Sequence, residues 1–263
     1  MDGRYKRILL KMSGEALGGE NGRGIDFDFT GRVCRAVKQC VDAGIQVSVV
    51  VGGGNYWRGG KDGGDRMVRA RADYMGMLAT AMNSVALVDA LEKAGVEAVI
   101  QASFGLERIA EPFNRDAAVR HLKAGRVVVF ACGSGEPYFT TDTAAVRHLK
   151  AGRVVIFACG SGEPFFTTDT AAVLRALDIE ADVLLLGKNV DGLYSADPKL
   201  DPTATKFDRI EYAEVLRRDL KAMDAAATQL AMENRLPLCV FGLKDPENIA
   251  RAAAGESIGT IVE

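Results

Sequence analysis

Short β-branched or leucine-rich runs alternate with longer mixed stretches along the whole chain, and that spacing predicts strands separated by helices. Strands are expected over 7–11, 45–51, 96–101, 127–131, 154–158, 183–187, 237–242 and 258–262. Between the first two, a helix should run from Thr30, an N-capping residue type, to Gly44, a helix-stop residue type. A long helix should end near Gly95, others should begin near Asp116, Thr143, Thr170 and Asp224, and one should take Asp245 as cap with Pro246 at its first position. Polar, glycine-bearing loops are expected over 18–24, 55–65 and 191–206. Such alternation predicts an α/β fold, a mostly parallel sheet covered by helices on both faces. No Pro, Ser or Gly-rich linker divides the chain, so one unit with two lobes is expected.

Two of the predicted strands run straight into glycine turns. Ile8, Leu9 and Leu10 lead to Lys11-Met-Ser-Gly14, and the valines of 47–51 lead to Gly52-Gly53-Gly54-Asn55. Open α/β sheets bind ligands at the carboxyl ends of neighbouring parallel strands. Glycine there lets backbone N–H groups approach phosphate oxygens closely, and Lys11 adds a charge able to neutralise a transferring phosphoryl group. The pair reads as a phosphate cradle.

A second pattern interrupts this order. Residues 117–143 recur at once as 144–170, matching at 25 of 27 positions, with Val129 replaced by Ile156 and Tyr138 by Phe165. A period that occurs twice and nowhere else marks a tandem duplication rather than a solenoid. Ala171-Ala-Val173 repeats the opening tripeptide once more, so unequal exchange between the ends of a single-copy ancestor accounts for the present chain.

Composition narrows the function classes. With 263 residues, 48% of them hydrophobic, the chain suffices for one large α/β domain. A net charge of −2 with mixed signs gives no broad basic surface, which argues against nucleic acid as the main partner. No run of 18 apolar residues and no signal-peptide pattern is present, so a cytoplasmic protein without membrane attachment is expected. Cys34, Cys40, Cys132, Cys159 and Cys239 show no C-x-x-C spacing and read as reduced, mostly buried thiols. His121 and His148 are copies of one helix-surface position, which removes His triads and His metal sites; no protein-built metal site is expected.

Further segments bear chemistry. Gly54-Asn-Tyr-Trp-Arg-Gly-Gly60 extends the second turn and supplies Arg58, whose forked guanidinium suits phosphate oxygens. Asp73 stands near the start of the long helix. Gly160-Ser-Gly-Glu-Pro-Phe-Phe-Thr-Thr-Asp-Thr170, with its other copy at 133–143, joins a glycine turn, aromatics and hydroxyls to a helix start. Lys188-Asn-Val-Asp-Gly-Leu-Tyr-Ser-Ala-Asp-Pro198 follows a strand with a lysine, an aromatic face and a carboxylate. Singly these motifs read as tight turns and helix caps. Their order is specific, and from about Tyr5 to Val262 it closely resembles the bacterial uridylate (UMP) kinases of the amino-acid kinase superfamily.

The resemblance implies a three-layer αβα sandwich and phosphoryl transfer from ATP to UMP, giving UDP and ADP, with Mg²⁺, in pyrimidine nucleotide biosynthesis. Lys11, Asp169 and Lys188 would be catalytic. Lys11, Met12, Ser13, Gly14, Gly54, Arg58, Lys188, Tyr194 and Asp197 would hold ATP. Gly53, Asp73, Ser161, Gly162, Glu163, Pro164, Phe165, Phe166, Thr167 and Thr168 would hold UMP. The alternative copy of that segment offers Ser134, Gly135, Glu136, Pro137, Tyr138, Phe139, Thr140 and Thr141. The acceptor half would span roughly 1–178 and the ATP half 179–263. The resemblance further implies a homohexamer, GTP activation involving the loop over 19–24, and UTP inhibition.

Two departures from the family pattern stand out. Glu163 replaces the usual Asn and puts a carboxylate near an anionic substrate, and the duplication adds 27 residues to a plausible length of 236. The second copy is favoured as the native one because it runs directly into 171–178. The alternative function is a nucleotide-binding homologue whose catalysis the duplication impairs. A kinase acting on a carboxylate or carbamate fits the motifs less well. A Rossmann dehydrogenase fits least, because Gly52-Gly-Gly54 is not G-x-G-x-x-G.

Overall fold

A computed structural model describes residues 5–57, 62, 67–103, 105–131, 168–198 and 200–263. The central strand β1 (Arg7–Met12) has buried residues on both of its faces, which is the position its nearly continuous apolar run demands. It pairs in parallel with β2 (Gln46–Val51) on one side and β6 (Val183–Lys188) on the other. Beyond β2 lie β5 (Val127–Ala131), β3 (Ala98–Ala102) and the two-residue β4 (Glu111–Pro112). Beyond β6 lie β8 (Leu238–Gly242), β9 (Thr260–Val262) and β7 (Arg209–Ile210). Among the described residues the sheet therefore has nine strands, all pairing in parallel except β8 with β9.

Strand period divides the core into two layers. Ile8, Leu10 and Met12 join Val47, Val49, Leu185 and Phe241 beneath α2 (Phe27–Asp42), α3 (Arg69–Lys93) and α8 (Asn248–Ala253). Leu9 joins Val50, Val128, Leu184, Leu186 and Val240 beneath α4 (Arg115–Lys123), α5 (Thr168–Asp178), α6 (Tyr212–Arg217) and α7 (Ala225–Glu233). Fully burying each such leucine or valine stabilises by about 1.5–3 kcal/mol. Helices on both faces of one sheet make the three layers that were expected.

Local details correct three expectations. The cap of α2 is Asp26, whose Oδ1 accepts the Phe29 N–H at 2.9 Å, while Thr30 sits one turn in and donates its hydroxyl to the Asp26 carbonyl at 2.7 Å. Asp245 does not cap α8 but heads a turn before it, accepting the Glu247 N–H at 3.1 Å. The strand place between β2 and β3 belongs to the first copy of the repeat, not the favoured second one. That choice follows from chain neighbourhood, because the first copy follows β3 and β4 directly, its strand pairs with β3 and its helix α4 packs on the same core layer as β5. The second copy supplies the start of α5 at Thr168. The strand expected over 154–158 and the helix expected near Thr143 lie outside the described residues.

α3 is long and apolar enough, by length and composition, to cross a membrane. Its Leu87 and Leu91 are instead packed into the core beneath it. The face carrying Tyr74, Met75, Leu78, Met82 and Val85 is exposed. Cys34, Cys40 and Cys239 are buried free thiols, as expected, and burial pushes them up to about 12, 12 and 11. His121 lies on α4, with Nε2 3.0 Å from Glu111 and Nδ1 3.2 Å from Arg126.

Candidate active site

The sheet reverses its winding at β1, since the chain goes to one side for β2 and to the other for β6. The carboxyl ends of β1, β2 and β6 therefore border a crevice. Lys11 stands opposite Val50 and Leu186, and Lys188 ends β6 opposite Gly242. Lys11 has the parity of Leu9, and Lys188 that of Leu184 and Leu186, so both side chains emerge on the α5 face. There the Lys11 ammonium forms an ion pair with Oδ1 of Asp169, the second residue of α5. Both side chains are mostly shielded, at 13% and 14% exposure.

Lys188 belongs to the same charge cluster. Burial holds its ammonium below the ordinary lysine range; Asp169 opposes that shift, the Lys11 charge adds to it and Asp224 opposes it. Asp224 also caps α7 by accepting the Ala227 N–H at 2.8 Å. Two cations thus face two carboxylates where four elements meet. Asp224 was visible in the sequence as a helix start alone, because its approach to Lys188 is made by the fold.

The glycine turns pack on one another. The Gly52 N–H donates to the Met12 carbonyl at 3.0 Å. Ser13 caps the one-turn helix α1 (Gly14–Leu17), its Oγ accepting from the Glu15 N–H at 3.3 Å. Met12 buries its side chain completely, so its contribution to any ligand is backbone. A Cβ on Gly53 would lie 2.6 Å from the Gly76 carbonyl oxygen of α3, so this position must be glycine for space. Gly54 continues the turn, whose Gly53 carbonyl accepts the Tyr56 and Trp57 N–H groups at 3.0 Å. Thr168 Oγ1 would be 3.6 Å from a Cβ on Gly52, which brings the start of α5 against the second turn. Asp73, half-buried on α3, follows Ala72, whose carbonyl accepts the Trp57 indole N–H at 2.8 Å.

Beside Lys188 opens a cavity of ≈ 570 Å³, lined among others by Asn189, Asp191, Tyr194, Pro198 and Lys244. The Tyr194 hydroxyl donates to Asp191 at 2.8 Å, and Lys206 reaches the other carboxylate oxygen at 3.1 Å. Asp197 is exposed next to the lining residue Pro198. Arg58, the segment from Ser161 to Thr167 and its copy from Ser134 to Thr141 lie outside the described residues. Among the described residues no three His, Cys, Asp or Glu side chains converge as metal ligands.

A family model described as the amino acid kinase family matches residues 6–242. The structure is similar to that of a UMP kinase from Bacillus anthracis, with a TM-score of 0.84 at 32% identity over 98% of this chain and 96% of that one. A UMP kinase from Ureaplasma parvum gives 0.83 at 31% identity over 99% of both chains. A uridylate kinase from Archaeoglobus fulgidus gives 0.67 at 27% identity over 97% and 99%.

Proposed function

Because this chain belongs to the amino acid kinase family, we infer that its crevice is a phosphoryl-transfer site and that the protein is a nucleoside monophosphate kinase, moving the γ-phosphoryl group of ATP to UMP. The observation that carries this reading is the ion pair of Lys11 with Asp169, with Lys188 coupled to both, beside two interlocked glycine turns. An oxygen of the UMP phosphate forms a bond to the γ-phosphorus as the bond to the β–γ bridging oxygen breaks, leaving ADP and UDP. No covalent enzyme intermediate is needed, so the chain has to position the partners and stabilise charge.

Lys11 and Lys188 supply that charge from one face, and Asp169 keeps the two ammonium groups from driving each other apart. Met12, Ser13, Gly14 and Gly54 offer backbone N–H groups to the ATP phosphates, with Arg58 as a further donor. Tyr194 and Asp197 border the nucleoside of ATP, for which the ≈ 570 Å³ cavity has room. Gly53, Asp73 and Thr168 take the UMP side together with 161–167. The acceptor half is 1–178 and the ATP half 179–263. Mg²⁺ would enter with the nucleotide and would neutralise charge on the ATP phosphates.

The same reading includes a cytoplasmic homohexamer, activated by GTP and inhibited by UTP. An exposed stripe on α3, at Tyr74, Met75, Leu78, Met82 and Val85, supports self-association, since one apolar helix face covers the core and the opposite one is uncovered in the single chain. The test is release of ADP with ATP, Mg²⁺ and each nucleoside monophosphate in turn. Turnover should be confined to UMP and fall at least about 10²–10³-fold in Lys11→Ala while the fold is retained. Equal rates with other acceptors, or an active Lys11→Ala protein, would refute the assignment.

A further inference from the structure

Asn55 and Asn83 form a buried amide pair that the phosphoryl-transfer chemistry does not itself require. Asn55 Nδ2 donates to Asn83 Oδ1 at 2.9 Å, and Asn83 Nδ2 donates back to Asn55 Oδ1 at 2.8 Å. Each amide sends its other hydrogen to a backbone carbonyl. Asn55 Nδ2 reaches Gly24 at 2.6 Å, and Asn83 Nδ2 reaches Gly52 at 2.7 Å. Asn83 is completely buried and Asn55 nearly so. The Gly24 N–H also donates to the Asn55 carbonyl at 3.2 Å.

This closed set touches four parts of the molecule. Asn83 belongs to the middle of α3, Asn55 and Gly52 to the second glycine turn, and Gly24 to the loop before α2. The first turn is included through packing, because a Cβ on Gly14 would lie 2.6 Å from Asn55 Oδ1. Every donor of the two side-chain amides is used, which is the condition under which a buried polar network fixes one geometry. A turn that merely needed to be covered would be served by an apolar side chain on α3.

Resting on the kinase reading above, we propose that Asn55 and Asn83 are positioning residues: their amide pair sets both glycine turns in register for the phosphates and ties the loop ending at Gly24 to them. Neither residue has to touch substrate. The pair acts through Gly52, Gly14 and Gly24.

Leucine has the branching of asparagine without its polar atoms. Asn83→Leu leaves Asn55 and the Gly52 carbonyl without their partners, so the melting temperature should fall by roughly 5–10 °C. Replacing both residues by leucine removes both halves of the pair but leaves the Gly52 and Gly24 carbonyls without their amide partners, so it should recover only the part of that loss that comes from the stranded Asn55 amide. The rate separates positioning from structure: kcat, measured per folded molecule, should stay down about 10-fold or more in both variants, with KM for UMP within threefold. Recovery of kcat together with melting temperature in Asn55→Leu/Asn83→Leu would overturn the proposal. Hydrogen exchange on the unaltered chain decides the matter even where a variant does not fold. A non-hydrolysable ATP analogue should slow exchange at Gly24 and Gly52 together, and slowing at Gly52 alone overturns the coupling. If the unaltered chain makes no UDP the kinase reading fails, and the clamp is then judged on melting and exchange alone.

Discussion

Adding one methyl group at Gly14 tests how closely the two glycine turns must approach. Gly14 opens α1 and has no left-handed backbone, so conformational freedom is not its reason for being glycine. Space is. A Cβ there would lie 2.6 Å from Asn55 Oδ1 and 2.8 Å from the Gly52 carbonyl carbon, and would sit directly on the Gly52 carbonyl oxygen. Ordinary contact needs roughly 3.5 Å, so the second turn has to retreat by about 1 Å, the Gly52 carbonyl oxygen setting the amount. Neither neighbour yields easily, since one is backbone and the other an amide held by hydrogen bonds at 2.6–2.9 Å. Overpacking of this kind costs about 1–3 kcal/mol, which for a chain of this size lowers the melting temperature by roughly 2–12 °C.

The effect on turnover should be larger than the effect on stability. A misplacement approaching 1 Å at the proposed phosphate-binding turn should cost about 10–100-fold in rate. Gly31→Ala is the matched control, because Gly31 lies inside α2 and its added Cβ meets nothing nearer than Arg35 Nη1 at 3.5 Å. That change should stabilise by about 0.5–1 kcal/mol and leave the rate alone. Initial rates at saturating ATP and UMP, read beside thermal melts of both variants, give the comparison. A Gly14→Ala protein with kcat within twofold of the unaltered chain would refute the close-approach account.

Other consequences follow from particular residues. Burial lowers the Lys188 pKa, so the alkaline limb of kcat/KM for ATP should begin below the ordinary lysine value of about 10.4, and Lys188→Arg should move that limb upward at a reduced rate. Over the window between the lowered folded value and about 10.4, the unfolded chain binds more protons, so stability should rise with pH; a denaturant series across that window measures it. Deleting 117–143 or 132–158 should each yield an active single-copy kinase. The first puts Ile156 in place of the fully buried Val129 and should differ in stability by up to about 1–3 kcal/mol, whereas two inactive products would mean that the duplication is required. Leu78→Glu on the exposed stripe of α3 should lower the native mass seen by light scattering, and an unchanged mass would remove α3 from the assembly contact.

The sequence carried the sheet because each long strand has enough residues for its period to show. Lys11 and Lys188 were legible as lysines that follow apolar strand runs, and it is the pairing of β1 with β6 that brings both to one face. β4 and β7, at two residues each, have no period of their own. Asp26 and Thr30 are both capping types four residues apart, and hydrogen bonding within the folded turn decides between them. Asn55 and Asn83 stand 28 positions apart and meet because α3 crosses behind the second turn. No local spacing encodes such a meeting. Nor did spacing choose between two nearly identical repeat copies, since that choice depends on which copy follows β3 and β4.

The charge arrangement around Lys188 explains why the proposed phosphate site would need carboxylates at all. Lys11 and Lys188 emerge side by side on one face of adjacent strands, and two shielded ammonium groups there would favour loss of a proton from one of them. Asp169 offsets that tendency from the start of α5 and Asp224 from the start of α7, so the cluster is balanced before any nucleotide arrives. Both acids sit at helix starts, where unpaired N–H groups favour negative charge, and Asp224 is further fixed by its bond to Ala227. The lysines are thus held by groups on rigid elements rather than by solvent. Little reorganisation is then needed as charge develops on the transferring phosphoryl group, which is the source of most electrostatic catalysis. Replacing Asp169 by asparagine should therefore do more than remove one ion pair: with the largest opposing charge gone, the Lys188 pKa falls further and the alkaline limb of kcat/KM moves to lower pH. An Asp169→Asn protein whose alkaline limb is unmoved would show that the two lysines are not coupled through this carboxylate.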